Sequence, residues 1–122
     1  MLYIIGIGPG GKDRMTLEAV QKIKDSDVIV GYKPYIEYVV EFLTDQETFS
    51  TGMTGEIERC KKAIEFAKEG KNVSIISTGD AGLYGMAGPV IELLRNSDVE
   101  FEVVPGVSAV FSAAADLGAP LM

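Results

Sequence analysis

Histidine is absent from the 122 residues, and cysteine occurs once, as Cys60. Without histidine the chain lacks the commonest general base and the commonest transition-metal ligand, so Ser-His and Cys-His chemistry within it is excluded. A single cysteine can build neither a disulfide framework nor a thiolate cluster, which suits a reducing cytoplasm. No metal site made of protein side chains is expected. Basic residues are also scarce: 11 Lys and Arg stand against 18 Asp and Glu, a net charge of -7. Binding nucleic acid without sequence preference needs clustered Lys and Arg to displace counterions from phosphates, so no nucleic acid partner is expected. Long apolar runs are missing too. "LYIIGIG" and "VIELL" fall far short of a membrane span and no basic-then-apolar leader opens the chain, so no membrane partner or export signal is read.

What remains is the composition of a globular domain, 47% hydrophobic and 24% charged, at a length that suits one compact unit. "LYIIGIG" is a short branched apolar run that ends in glycines. "TLEAVQKIKDSD" follows as a helix with Leu17, Val20 and Ile23 apolar and Thr16 as its cap. "DVIVG" predicts a second buried strand, and "PYIEYVVEFL" a helix opened by Pro34. "TGEIERCKKAIEFAKEG" predicts a longer helix with Ile57, Cys60, Ile64 and Ala67 on one face and Gly70 as its stop. "NVSIIST" is then a strand, "PVIELLRNS" a helix opened by Pro89, "EFEVVPG" a strand and "SAVFSAAADLG" a helix. This alternation implies right-handed crossovers and an α/β fold: an open, mostly parallel sheet of about five strands with helices on both faces. Ligands in such sheets gather at the carboxyl ends of the strands. The loops "GIGPGG", "STGDAGLYG" and "VPGVSA" should therefore share one edge.

The first of these loops fits two nucleotide-binding patterns, a phosphate loop ending at Lys12 and a dinucleotide fingerprint of Gly6, Gly8 and Gly11. A phosphate loop needs Ser or Thr after the lysine, where this chain has Asp13, and Pro9 removes a backbone donor from the cradle. A dinucleotide site needs an acid near the end of the second strand, about twenty residues on, where Gly31 to Lys33 carry none. Standing alone, the glycines could equally serve as a tight strand-to-helix turn.

The three loops together, in this order, resemble the tetrapyrrole methylases, which use S-adenosylmethionine to methylate porphyrin-like rings. Within that family "VGYKPYIEYV", "STGMTGEIERCKKAIEFA" and "STGDAGLYGMAG" look most like the branch that methylates C17 of precorrin-3B or cobalt-precorrin-3, with ring contraction, in cobalamin biosynthesis. Ala81, where the wider family carries proline, is similar to that branch. The resemblance runs along the whole chain. It implies a second α/β domain after the "PLM" region, so that residues 1–122 correspond to the amino-terminal domain, and a homodimer for the full-length enzyme.

The cofactor implied is S-adenosylmethionine, a sulfonium with no phosphate, for which Pro9 and Asp13 are harmless. By resemblance Gly8, Pro9, Thr78, Gly79, Asp80, Leu83, Ser108 and Ala109 line its pocket, largely through main-chain atoms. Asp80 either fixes the loop or polar groups of the cofactor, or forms a local turn. Tyr84 either reaches the substrate cavity or packs. Lys12 and Asp13 either touch the acidic ring or cap the next helix. Tyr32, Tyr35 and Tyr38 either border a macrocycle or belong to an amphipathic helix. Cys60 reads as core, and no residue is assigned as catalytic. Two other readings stay open: a methylase of the same fold acting on another porphyrinoid or a modified protein histidine, and a non-enzymatic nucleotide-binding or assembly module. The cleft-facing surface near "GAPLM" should be an exposed apolar patch.

Overall fold

β1 (Leu2–Gly6), β2 (Val28–Tyr32), β3 (Glu47–Thr51), β4 (Val73–Ser77) and β5 (Phe101–Val104) form one sheet in the order β3-β2-β4-β1-β5. Every pairing within it is parallel, as the alternation requires. The computed structural model describes residues 1–82 and 86–118.

The central strands are apolar on both faces, which leaves two faces to cover. Leu2, Ile4, Val28, Val30, Val73 and Ile75 point to one side and pack on α3 (Glu56–Lys68) and α4 (Ala87–Leu94). Ile5, Ile29 and Ile76 point to the other and pack on α1 (Leu17–Asp25) and α2 (Lys33–Val39). The two helix layers are thus dictated by continuous apolar runs rather than alternating ones. Among the described residues no helix is long and apolar enough to cross a membrane.

Thr16 caps α1 as expected, its side chain accepting the Ala19 N–H at 3.0 Å, but Leu17, in the first turn, is 89% exposed. Ala19 and Ile23 bury that helix instead. Ile57 departs from the predicted stripe for the same reason: it lies in the first turn of α3 and is exposed, while Cys60, Ile64 and Ala67 are buried with Ala63 and Phe66. α2 ends at Val39, with a 3-10 turn over Val40–Phe42, and α4 begins two residues before Pro89. β3, "ETFST", had no apolar signature because it is an exposed edge strand.

The path of the chain creates a crevice. β1 leads to α1 on one face and β4 leads to α4 on the other, and these two strands are neighbours. Their outgoing loops part to opposite sides of the sheet, which is the arrangement where parallel sheets bind ligands.

Candidate functional site

The register aligns Gly6 with Ser77 across β1 and β4, and Ile5 with Val104 across β1 and β5. The segments that follow, Ile7 to Pro9, Thr78 to Asp80 and Pro105 to Ser108, therefore leave the sheet side by side. The first two are joined directly. Gly8 donates its N–H to the Gly79 carbonyl at 3.0 Å, and Gly79 donates back to the Gly8 carbonyl at 2.7 Å. The third is tied in by Asp80, one of whose oxygens accepts the Gly106 N–H at 2.9 Å while the other accepts the Gly82 N–H at 2.9 Å.

Glycine is required where these segments cross. A Cβ on Gly106 would meet the carbonyl oxygens of Gly6 and Gly79, each at 2.5 Å, and one on Gly6 would meet the Gly79 oxygen at 2.6 Å and the Ala81 nitrogen at 2.7 Å. The motif glycines thus let three backbones touch, which a turn-only reading of the first loop does not explain.

The predicted site residues separate into groups. Gly8, Pro9, Thr78, Gly79, Asp80, Ser108 and Ala109 come together at the carboxyl edge. Ser108 is buried and caps α5 (Ala109–Asp116), its hydroxyl accepting the Val110 N–H at 3.2 Å. A Cβ on Gly79 would stand 3.6 Å from the Ala109 nitrogen, which brings the start of α5 against the second loop. Lys12 and Asp13 lie in an exposed 3-10 turn and do not cap α1, since Thr16 does. Leu83 and Tyr84, like most of the "GAPLM" patch, fall outside the described residues.

Asp80 forms the local turn weighed for it and also makes a long-range bond. It closes its own turn at Gly82 and clamps β5's loop to β4's. The carboxylate also fixes the sign of the site, because a half-exposed negative charge at the junction favours a cation and opposes a phosphate. This observation fits a sulfonium ligand. Closely packed backbone with few side chains suits an adenosine and amino-acid tail, which need edge contacts rather than an anion cradle.

Around the junction stand the three tyrosines weighed as macrocycle border or amphipathic helix, and Arg59, which the sequence did not single out. Tyr32 and Tyr35 meet edge to face at 5.1 Å, and both line a cavity of about 230 Å³ that also reaches Arg59, Ser77 and Thr78. A Cβ on Gly10 would stand 3.9 Å from the Tyr38 ring, so Tyr38 borders the first loop. Arg59 is only 7% exposed despite its charge. Its signal in the sequence was slight: it stands next to Cys60 on the buried side of α3. Cys60 itself is core. Burial, reinforced by Glu56 and partly opposed by Arg59, pushes its thiol up to about 11.

Comparison with known proteins agrees with this geometry. The family described as Tetrapyrrole (Corrin/Porphyrin) Methylases matches residues 1–122. A probable cobalt-factor III C(17)-methyltransferase of Salmonella typhimurium is 51% identical over the whole of this chain and 52% of its own length. The chain thus spans about half of that relative. Among solved structures, the methyltransferase CobJ superposes with a TM-score of 0.88 at 33% identity, covering 98% of this chain and 52% of the other. A uroporphyrin-III C-methyltransferase from Thermus thermophilus complexed with S-adenosyl homocysteine gives 0.76 at 25% identity, covering 93% and 47%. Sequence and architecture agree, and the chain belongs to the tetrapyrrole (corrin/porphyrin) methylases.

Proposed function

We propose that this chain forms the glycine-loop wall of an S-adenosylmethionine-dependent C-methyltransferase acting at C17 of precorrin-3B or cobalt-precorrin-3, with ring contraction, in cobalamin biosynthesis. The observation that carries the reading is the junction itself: three loops locked by the Gly8–Gly79 pair and the Asp80 clamp, at the crevice between β1 and β4. The name of the Salmonella typhimurium relative supports the choice of ring position.

When bound, S-adenosylmethionine supplies a methyl group already activated by its sulfonium. The protein's task is then alignment and exclusion of water, which needs no strong nucleophile and no histidine. Gly8, Pro9, Thr78, Gly79, Ser108 and Ala109 hold the cofactor through backbone and short side chains. Asp80 keeps the loops in register and offers its charge to the cation. Lys12 and Asp13, exposed at the rim, face the tetrapyrrole.

A single wall encloses little of a ligand, and small-molecule sites bury most of theirs. We place the chain as the amino-terminal domain of a two-domain enzyme that is a homodimer at full length. Val110, Phe111 and Leu117 on and just after α5 are exposed, and their apolar surface supports a docked second domain. Calorimetry with S-adenosylhomocysteine tests the scheme. The chain alone should bind weakly and transfer no methyl group, and a version extended through a second domain should bind tightly and methylate the precorrin. Equal binding by both, or turnover by the chain alone, overturns the two-wall scheme. No binding by the extended version overturns the methylase reading.

A further inference from the structure

The cavity beside the junction lies between the ends of β2 and β4, on the far side of β4 from β1. Two of its lining side chains are buried with hydrogen-bonding capacity left over. Ser77, the last residue of β4, is 5% exposed, and its hydroxyl has no partner among the described residues. A buried hydroxyl without a partner is rare in a folded chain and marks a place where something else completes the bond.

Arg59 is the second. Its Nη1 donates to the Thr51 hydroxyl at 2.6 Å and to the Gly52 carbonyl at 3.0 Å, which uses both hydrogens on that nitrogen. Of the five N–H groups of a guanidinium, the three on Nε and Nη2 remain, and no acceptor among the described residues takes them. Among the described residues no carboxylate forms an ion pair with Arg59, although acids outnumber bases in this chain. The Tyr32 ring also lies close, its centroid 5.9 Å from the guanidinium carbon. A cation 7% exposed without a counter-charge is costly unless a ligand supplies one.

The free edge defines that ligand. Nε and Nη2 present two parallel N–H groups, which match the two oxygens of a carboxylate. One cation calls for one negative charge, and Glu56 at the mouth, exposed and unpaired with Arg59, disfavours a more highly charged group. We infer that Arg59 and Ser77 form a carboxylate-binding subsite, in which the guanidinium takes the carboxylate and the Ser77 hydroxyl donates the third bond. The subsite stands on the cavity; the identity of its natural ligand rests on the methylase reading. The carboxylate comes either from an acidic side chain of the tetrapyrrole or from the amino-acid end of S-adenosylmethionine.

The test is nuclear magnetic resonance titration of the 122-residue chain, following the Arg59 Nε–H signal, with propionate, its neutral counterpart propionamide, S-adenosylhomocysteine and uroporphyrin III as probes. Propionate should move the signal saturably and propionamide should not. Arg59→Lys, which keeps the charge and loses the fork, should weaken propionate binding about tenfold. Ser77→Ala removes a hydroxyl that has no partner among the described residues, so the fold persists, and it should weaken binding about threefold to tenfold. Ser77→Ala therefore decides the matter if Arg59→Lys fails to fold. A loss seen with S-adenosylhomocysteine alone assigns the subsite to the cofactor, and a loss seen with uroporphyrin alone assigns it to the substrate. Propionate binding without either larger ligand in the 122-residue chain upholds the subsite and agrees with the two-wall scheme, whereas the same result with the version extended through a second domain overturns the methylase reading. An Arg59 signal indifferent to every carboxylate probe, or propionate binding unchanged in Ser77→Ala, overturns the subsite.

Discussion

Asp80 and Gly106, 26 positions apart, are joined by a backbone N–H donated to a carboxylate oxygen at 2.9 Å. That bond fastens the loop after β5 to the loop after β4, while the second oxygen closes the turn at Gly82. Asp80→Ala leaves two backbone donors unmatched at a half-exposed site and should lower stability by about 1–3 kcal/mol. Asp80→Asn keeps one acceptor oxygen and should lose less. Urea unfolding of the two variants checks the order. Equal losses would mean that the single oxygen kept by Asn restores neither bond.

Gly106→Ala places a methyl group 2.5 Å from two carbonyl oxygens, both of them backbone and unable to step aside cheaply. The expected loss is about 2–4 kcal/mol, at the severe end for overpacking, with weaker cofactor binding because the junction opens. Gly88 provides the contrast. It lies within α4, and a Cβ there meets nothing within 4 Å. Gly88→Ala should stabilise by up to about 1 kcal/mol through helix propensity. Thermal melts of both variants separate crossing glycines from incidental ones.

The legible parts of this fold are those whose signal is local. β1, β2 and β4 carry branched apolar runs because both their faces are covered, and Thr16 declares a helix start by its own chemistry. "ETFST" is a strand only by virtue of pairing with β2 at an edge, so nothing in its own pattern announces it. The cofactor loops were readable as motifs, yet the bond between Asp80 and Gly106 depends on the register of strands far apart in sequence. Arg59 was hidden most completely. A charge in a helix normally marks the solvent face, and only the turn of α3 against the "TG" segment at Thr51 and Gly52 carries it inward.

Cys60 provides a pH prediction. Its thiol is pushed up to about 11, chiefly by burial and then by Glu56, from 9.0 when unperturbed. The folded state thus holds this proton more tightly than the unfolded state. The stability it contributes is complete below pH 9 and is lost as pH rises from there toward 11. The loss should be about 2 kcal/mol over that window. Urea midpoints should fall as pH rises from 9.0 to about 11, the window in which the thiol titrates, and the fall should be smaller in Cys60→Ala. At neutral pH the folded chain should resist iodoacetamide, and labelling should require unfolding. Rapid labelling under native conditions would contradict the assignment of Cys60 to the core.

Among the described residues, one side chain supplies the polar attachment of α5. Arg14 follows the first glycine loop and reaches across to the Ser112 hydroxyl and carbonyl and to the Asp116 carboxylate, the last at 2.6 Å. Val110, Phe111 and Leu117 are exposed, so apolar packing contributes little of their surface to holding the helix. Arg14 and Asp116 are themselves largely solvated, which limits the pair to about 0–1 kcal/mol of global stability. Locally the effect should be larger, because few other contacts protect this helix and opening needs no disruption of the sheet. Arg14→Ala should leave the urea midpoint nearly unchanged while hydrogen exchange in Ala113 to Asp116 speeds up about tenfold, and exchange in β1 and β4 stays as it was. Since Ala109 begins α5 and abuts Gly79, the same variant should weaken binding of S-adenosylhomocysteine without altering the Asp80 clamp. Exchange accelerated equally throughout the sheet would show that Arg14 supports the whole fold rather than one helix.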